Sequence, residues 1–90
     1  NVTVCMPKNS PVAKIQGTQR YNGKVVLKGD SFDDAGVEAC KLCKEHGYTF
    51  VHPFDDFATI AGQGTLGLEM IEQLPYLDAI IVPIGGGGLI

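Results

Sequence analysis

Apolar positions along the 90 residues fall into short β-branched runs separated by stretches with helical spacing. Val2-Thr3-Val4-Cys5 is a strand-like run stopped by Pro7. Ser10 is placed to cap a helix whose first residue is Pro11, where a missing N–H costs nothing. That helix is expected to reach about Tyr21 and to stop at Asn22-Gly23. Lys24-Val25-Val26-Leu27 reads as the second strand, closed by Gly29. Ser31 and Asp34 spell a capping box for the next helix, with Asp33 complementing the dipole in its first turn. Ala35, Ala39 and Leu42 form its apolar stripe and Gly47 ends it. Tyr48-Thr49-Phe50-Val51 is the third predicted strand, broken by Pro53. A third helix is expected from near Ala58 to about Gln73, with Ile60, Leu68 and Ile71 facing a core. Ala79-Ile80-Ile81-Val82-Pro83-Ile84 then reads as a fourth strand, apolar enough to be covered on both faces. Four strands alternating with three helices through short loops predict an α/β fold. Its expected form is a three-layer sandwich around a mainly parallel sheet.

Two glycine-rich places depart from ordinary element chemistry. In the third helix Gly62, Gly64 and Gly67 occupy three of six positions, at a cost of about 1 kcal/mol each relative to alanine. Such a helix persists where close approach returns something, whether from another backbone, a cofactor or a subunit. Gln63 is the polar side chain there with chemistry to offer. The fourth predicted strand drives straight into Gly85-Gly86-Gly87-Gly88. Glycines there allow positive φ and bring backbone N–H groups close to an anion, and a strand ending in such a loop is where α/β folds hold phosphate. The alternative is a flexible hinge, against which the fully apolar run before it argues. Two familiar phosphate loops do not match. A dinucleotide fingerprint read from Gly85 and Gly87 needs a small residue where Ile90 stands, and a triphosphate loop needs Gly-Lys-Ser/Thr where Gly88 is followed by Leu89.

Composition narrows the field. The length suits one small domain, 44% of residues are hydrophobic, 19% are charged, and the net charge is −3. Seven scattered basic residues offer no stripe for nucleic acid or anionic membrane. No apolar segment approaches bilayer length, and no signal peptide is expected from a chain that opens into a strand. Three cysteines, an odd number, argue against a disulfide framework and fit a reducing, cytoplasmic setting. Cys40 and Cys43 form a C-x-x-C with His46 one turn on, but a metal site would need Cys5 or His52 as well. A redox pair would want its nucleophile at a helix N-terminus, whereas these thiols lie mid-helix. Buried or half-buried inert thiols, with no metal, are the expectation. Asp55 and Asp56 read as a solvated turn, not a catalytic dyad.

A family resemblance follows from several landmarks together. Val4-Cys5-Met6-Pro7-Lys8, Gly29-Asp30-Ser31-Phe32, His52-Pro53-Phe54-Asp55 and Ile60-Ala61-Gly62-Gln63-Gly64-Thr65 resemble successive motifs of the threonine dehydratase and serine racemase group. Val82-Pro83-Ile84-Gly85-Gly86-Gly87-Gly88-Leu89 is similar to that group's cofactor-phosphate loop, and the match runs over essentially the whole chain. These enzymes use pyridoxal 5'-phosphate (PLP) on the fold shared with the tryptophan synthase β subunit. Cysteine synthase relatives carry a threonine-interrupted glycine loop at this place, which favours the dehydratase branch.

The resemblance implies that Gly85, Gly86, Gly87 and Gly88 bind the PLP phosphate through backbone N–H groups. It implies a boundary too: residues 1–57 as part of a small mobile domain and 58–90 as the start of the return into the large PLP-binding domain. Family members often bind a purine nucleotide between subunits, and Lys14 and Tyr21 stand where some contact AMP or ATP. The family's cofactor-bearing lysine and its Ser-x-x-Asn-His type loop belong upstream, and the partner of the pyridine nitrogen belongs far downstream. None of Lys8, Lys14, Lys24, Lys28, Lys41 or Lys44 sits in the lysine's context. The expectation is therefore an internal fragment of a homo-oligomeric, cytoplasmic PLP-dependent ammonia-lyase that deaminates threonine or serine, with no catalytic residue in this chain and no activity alone. A serine racemase fragment is the alternative within the family, and a non-catalytic nucleotide-binding or regulatory α/β module is the alternative outside it.

Overall fold

The computed structural model describes all of residues 1–90. The chain divides into two compact units, Asn1–Phe50 and Val51–Ile90.

The first unit is built on two parallel strands, β1 (Thr3–Met6) and β2 (Lys24–Leu27), in register Thr3 to Lys24 through Met6 to Leu27. Parallel pairing requires a crossover, which α1 (Val12–Arg20) supplies while packing on β2. Ser10 does not cap this helix. Its N–H bonds the carbonyl of Pro7 in a turn, and Pro11 takes the cap position with no side-chain cap bond. Asn22 takes φ +59° after the helix, a left-handed value that asparagine tolerates better than most residues. Gly29, at φ +67°, closes β2 and returns its carbonyl to the Lys8 N–H at 2.9 Å.

Helix α2 (Phe32–His46) follows the sequence expectation closely. The Ser31 side chain accepts from the Asp34 N–H at 3.1 Å, and the Asp34 carboxylate accepts from the N–H groups of Ser31 and Asp30, each at 3.1 Å. Hydrogen bonding to the carboxyl by the Ser31 side chain first, then by the N–H groups of Asp30 and Ser31, holds Asp34 below its ordinary pKa. Gly47 ends the helix in the left-handed conformation at φ +68°. The stripe turns the buried Ala35 and the half-buried Ala39 and Leu42 inward as α2 packs on β1.

The second unit contains α3 (Phe57–Gln73) and the irregular segments on either side of it. From Tyr48 onward the apolar pattern misleads. Tyr48–Val51 and Ala79–Ile84 form no strand, so the expected four-stranded sheet has two strands. A β-rich segment becomes a strand only when its N–H and C=O groups meet a neighbour, and neither segment has one among these residues. The expected core positions of α3 are exposed for the same reason: Ile60, Leu68 and Ile71 are 43%, 70% and 58% accessible.

Candidate functional site

The site assembles within the second unit, from a turn, one helix residue and the glycine loop. Asp56 opens α3 as its N-cap, its carboxylate accepting from the N–H groups of Ala58 at 2.9 Å and Thr59 at 3.1 Å. The acidic pair at 55–56 thus holds a helix cap in addition to solvated charge. Just upstream, the His52 ring folds back over its own turn. Its Nδ1 accepts the Asp55 N–H at 2.8 Å and the Phe54 N–H at 3.3 Å, while the Thr59 hydroxyl donates to the His52 carbonyl at 2.9 Å. Nδ1 is therefore the unprotonated ring nitrogen. The His52 and Phe54 rings meet edge to face with centroids 4.7 Å apart.

Phe54 lies directly against the glycine loop. A Cβ on Gly86 would overlap the Phe54 ring, and one on Gly88 would stand 2.8 Å from the Phe54 Cα and Cβ. Gly87 has φ +89°, which no side chain adopts comfortably. Gly85 has open space where a Cβ would be. The glycines thus serve distinct purposes: two admit Phe54, one turns the chain, and one keeps the surface bare. No backbone hydrogen bond within the chain uses the N–H groups of Gly85–Gly88.

An open hollow of about 380 Å³ is bounded by Pro53, Phe54, Gln63, Pro83, the four glycines and Leu89. Its walls are apolar rings and bare backbone, with Gln63 as the polar side chain. Unpaired N–H donors without Cβ atoms above them fit a phosphate group, which accepts several hydrogen bonds and needs close backbone approach. The residues present therefore fit the phosphate end of PLP. The hollow carries no lysine to charge-pair with that phosphate.

The structure brings Gln63 to the glycine loop, a neighbour that the sequence did not indicate, but it packs nothing against Gly62, Gly64 or Gly67, where a Cβ would meet no atom within 4 Å. Lys14 and Tyr21 stand exposed in the first unit, Tyr21 at 85%. Cys43 is half-buried, as is Cys5, but Cys40 is exposed, which corrects the expectation that both thiols of the C-x-x-C are sheltered. Burial foremost, then Glu38 and Cys43, push the Cys5 thiol above its ordinary pKa, so it stays protonated and unreactive. Phe54 was legible as part of a family landmark, but its role under the loop was not, because nothing in the sequence ties position 54 to positions 86 and 88.

Comparison with known proteins agrees with this geometry. Residues 1–90 match the family model described as "Pyridoxal-phosphate dependent enzyme", and the chain belongs to that family. It is 47% identical over its whole length to the catabolic L-threonine dehydratase TdcB of Staphylococcus aureus, strain USA300. It spans 26% of that relative, about a quarter of its length. Among solved structures, maize serine racemase aligns with 97% of this chain and 26% of its own, at TM-score 0.89 and 37% identity. The processed form of threonine deaminase isoform 2 from Solanum lycopersicum aligns at TM-score 0.81 and 41% identity, covering 97% of this chain and 24% of its own. A pyridoxal 5'-phosphate-dependent aspartate racemase is as similar in fold, at TM-score 0.89 and 36% identity over 97% of this chain and 26% of its own. These 90 residues therefore carry an α/β piece of the fold common to such dehydratases and racemases, and the family's cofactor is pyridoxal phosphate. No helix is long and apolar enough to cross a membrane.

Proposed function

We propose that this chain forms the phosphate-holding quarter of a PLP-dependent threonine dehydratase, which converts L-threonine to 2-oxobutanoate and ammonia. The observation that carries the reading is the set of unpaired, side-chain-free N–H groups at Gly85, Gly86, Gly87 and Gly88 around one hollow, in a chain 47% identical to a threonine dehydratase. Bound there, the cofactor would supply an electron-withdrawing ring that stabilises negative charge at the substrate α-carbon. The residues of this chain bind and orient. The four glycines donate N–H groups to the phosphate, Gln63 offers an amide at the rim, and Pro53, Phe54 and Pro83 keep water from one side. The base that moves the α-proton would come from a lysine outside these residues, since no lysine borders the hollow.

In the same reading residues 1–57 belong to the small mobile domain, 58–90 begin the return into the large domain, and the enzyme is a cytoplasmic homo-oligomer acting on threonine or serine. Lys14 and Tyr21 are proposed as contacts of a purine nucleotide effector, AMP or ATP, which their exposure permits. Serine racemase is the second reading, favoured by the TM-score of 0.89 to the maize enzyme. Assay of the protein with PLP separates them. Release of 2-oxobutanoate from L-threonine supports the dehydratase, and D-serine formation without keto-acid release supports the racemase. The 90 residues by themselves are expected to release none, and threonine-dependent 2-oxobutanoate from the purified 90-residue chain with no added polypeptide would overturn the division of labour.

A further inference from the structure

Two of the four loop glycines, Gly86 and Gly88, make room for Phe54, so Phe54 sets where the loop backbone can lie. Phe54 is placed in turn by His52. One ring nitrogen gathers the N–H groups of both Phe54 and Asp55, at 3.3 and 2.8 Å, and the ring edge meets the Phe54 face or edge at right angles, 90° between planes. The His52 carbonyl is tied to α3 through the Thr59 hydroxyl at 2.9 Å, and Asp56 caps that helix. The turn therefore runs as a braced chain from the first turn of α3, through His52 and Phe54, to Gly86 and Gly88.

We propose that His52 is a positioning residue for the glycine loop, acting through Phe54 and through its Nδ1 acceptor in particular. This rests on the reading of Gly85–Gly88 as a phosphate loop only for its consequence, tighter cofactor binding; the mechanical link itself does not need it. Without the acceptor, two turn N–H groups lose their partner, the Phe54 ring is released from its perch, and the loop amides lose the arrangement in which they converge.

The chemistry of the acceptor yields a sharp test. Asparagine places its side-chain oxygen close to where histidine carries Nδ1, glutamine places it one bond further out, and leucine has none. His52→Asn, His52→Gln and His52→Leu are made in the protein, and amide hydrogen exchange of the segment 83–90 is followed without cofactor. PLP affinity is then measured by equilibrium dialysis. His52→Leu and His52→Gln are expected to exchange the loop amides about fivefold faster or more, and His52→Asn within about twofold of the parent, with α2 unchanged in all three. PLP binding should weaken about tenfold in the first two variants and recover in the third. Loop exchange unchanged in His52→Leu overturns the proposal, as does equal loosening by Asn and Leu. A parent protein that binds no PLP while the exchange pattern holds overturns the cofactor reading and leaves the link between His52 and the loop standing.

Discussion

Gly85 and Gly86 are neighbours in the chain, yet a methyl group would meet nothing at the first and the Phe54 ring at the second. Gly85→Ala is therefore expected to leave stability within about 0.5 kcal/mol of the parent. Gly86→Ala should cost about 1–3 kcal/mol, since a ring flanked by His52 has to move. Urea midpoints check both, and adding Phe54→Ala should recover most of the Gly86→Ala loss, a coupling expected of residues in direct contact. Equal effects of the two alanines would mean that the loop does not rest on Phe54. At this scale the four glycines were legible as a set, because consecutive glycines have few purposes. Which glycine did what was not, since that depends on a ring 32 residues away in sequence.

At the scale of elements, α2 shows a helix whose sequence and structure agree. Its capping box is local, completed by residues three apart, so it is present wherever the chain folds. The Asp34 carboxyl is held below its ordinary pKa, so folding favours the ionised form. The sign follows: the stabilisation is present above the unfolded-state value and is lost as pH falls through the lower folded-state value. On acidification from the ordinary aspartate range, about pH 4, the start of α2 should fray. Asp34→Asn should fray there already at neutral pH and change less on acidification. Amide exchange at residues 31–35, read against pH, checks this, and identical profiles for parent and variant would contradict it. Helix α1 is the contrary case, where Ser10 spells a cap but is used in a turn from Pro7. Helix α3 gained its cap from Asp56, the second member of a pair that looked merely solvated.

Across the whole molecule, large apolar side chains remain open to solvent. Phe57, Tyr76 and Ile81 are 93%, 95% and 98% accessible, and Ala35 is the one buried hydrophobic residue. A soluble monomer rarely leaves so much apolar surface uncovered. The 90 residues alone are thus expected to bind a hydrophobic dye such as anilinonaphthalene sulfonate and to self-associate at micromolar concentration. Light scattering and dye fluorescence check this, and a monodisperse 9.6 kDa species without dye binding would contradict it.

Local features could be read directly from the residues: the strands β1 and β2, the capping box of α2, its left-handed end at Gly47, the extent of α3, and the glycine loop with its family. Each depends on residues within a few positions, or on a motif that few other chains would spell. Folding in three dimensions settled which β-rich runs became strands, left Ile60, Leu68 and Ile71 exposed, and set Phe54, with His52 beside it, against the loop. The reason is physical. A strand and a buried face are properties of a pair of surfaces, and periodicity in one chain specifies only the half that it carries.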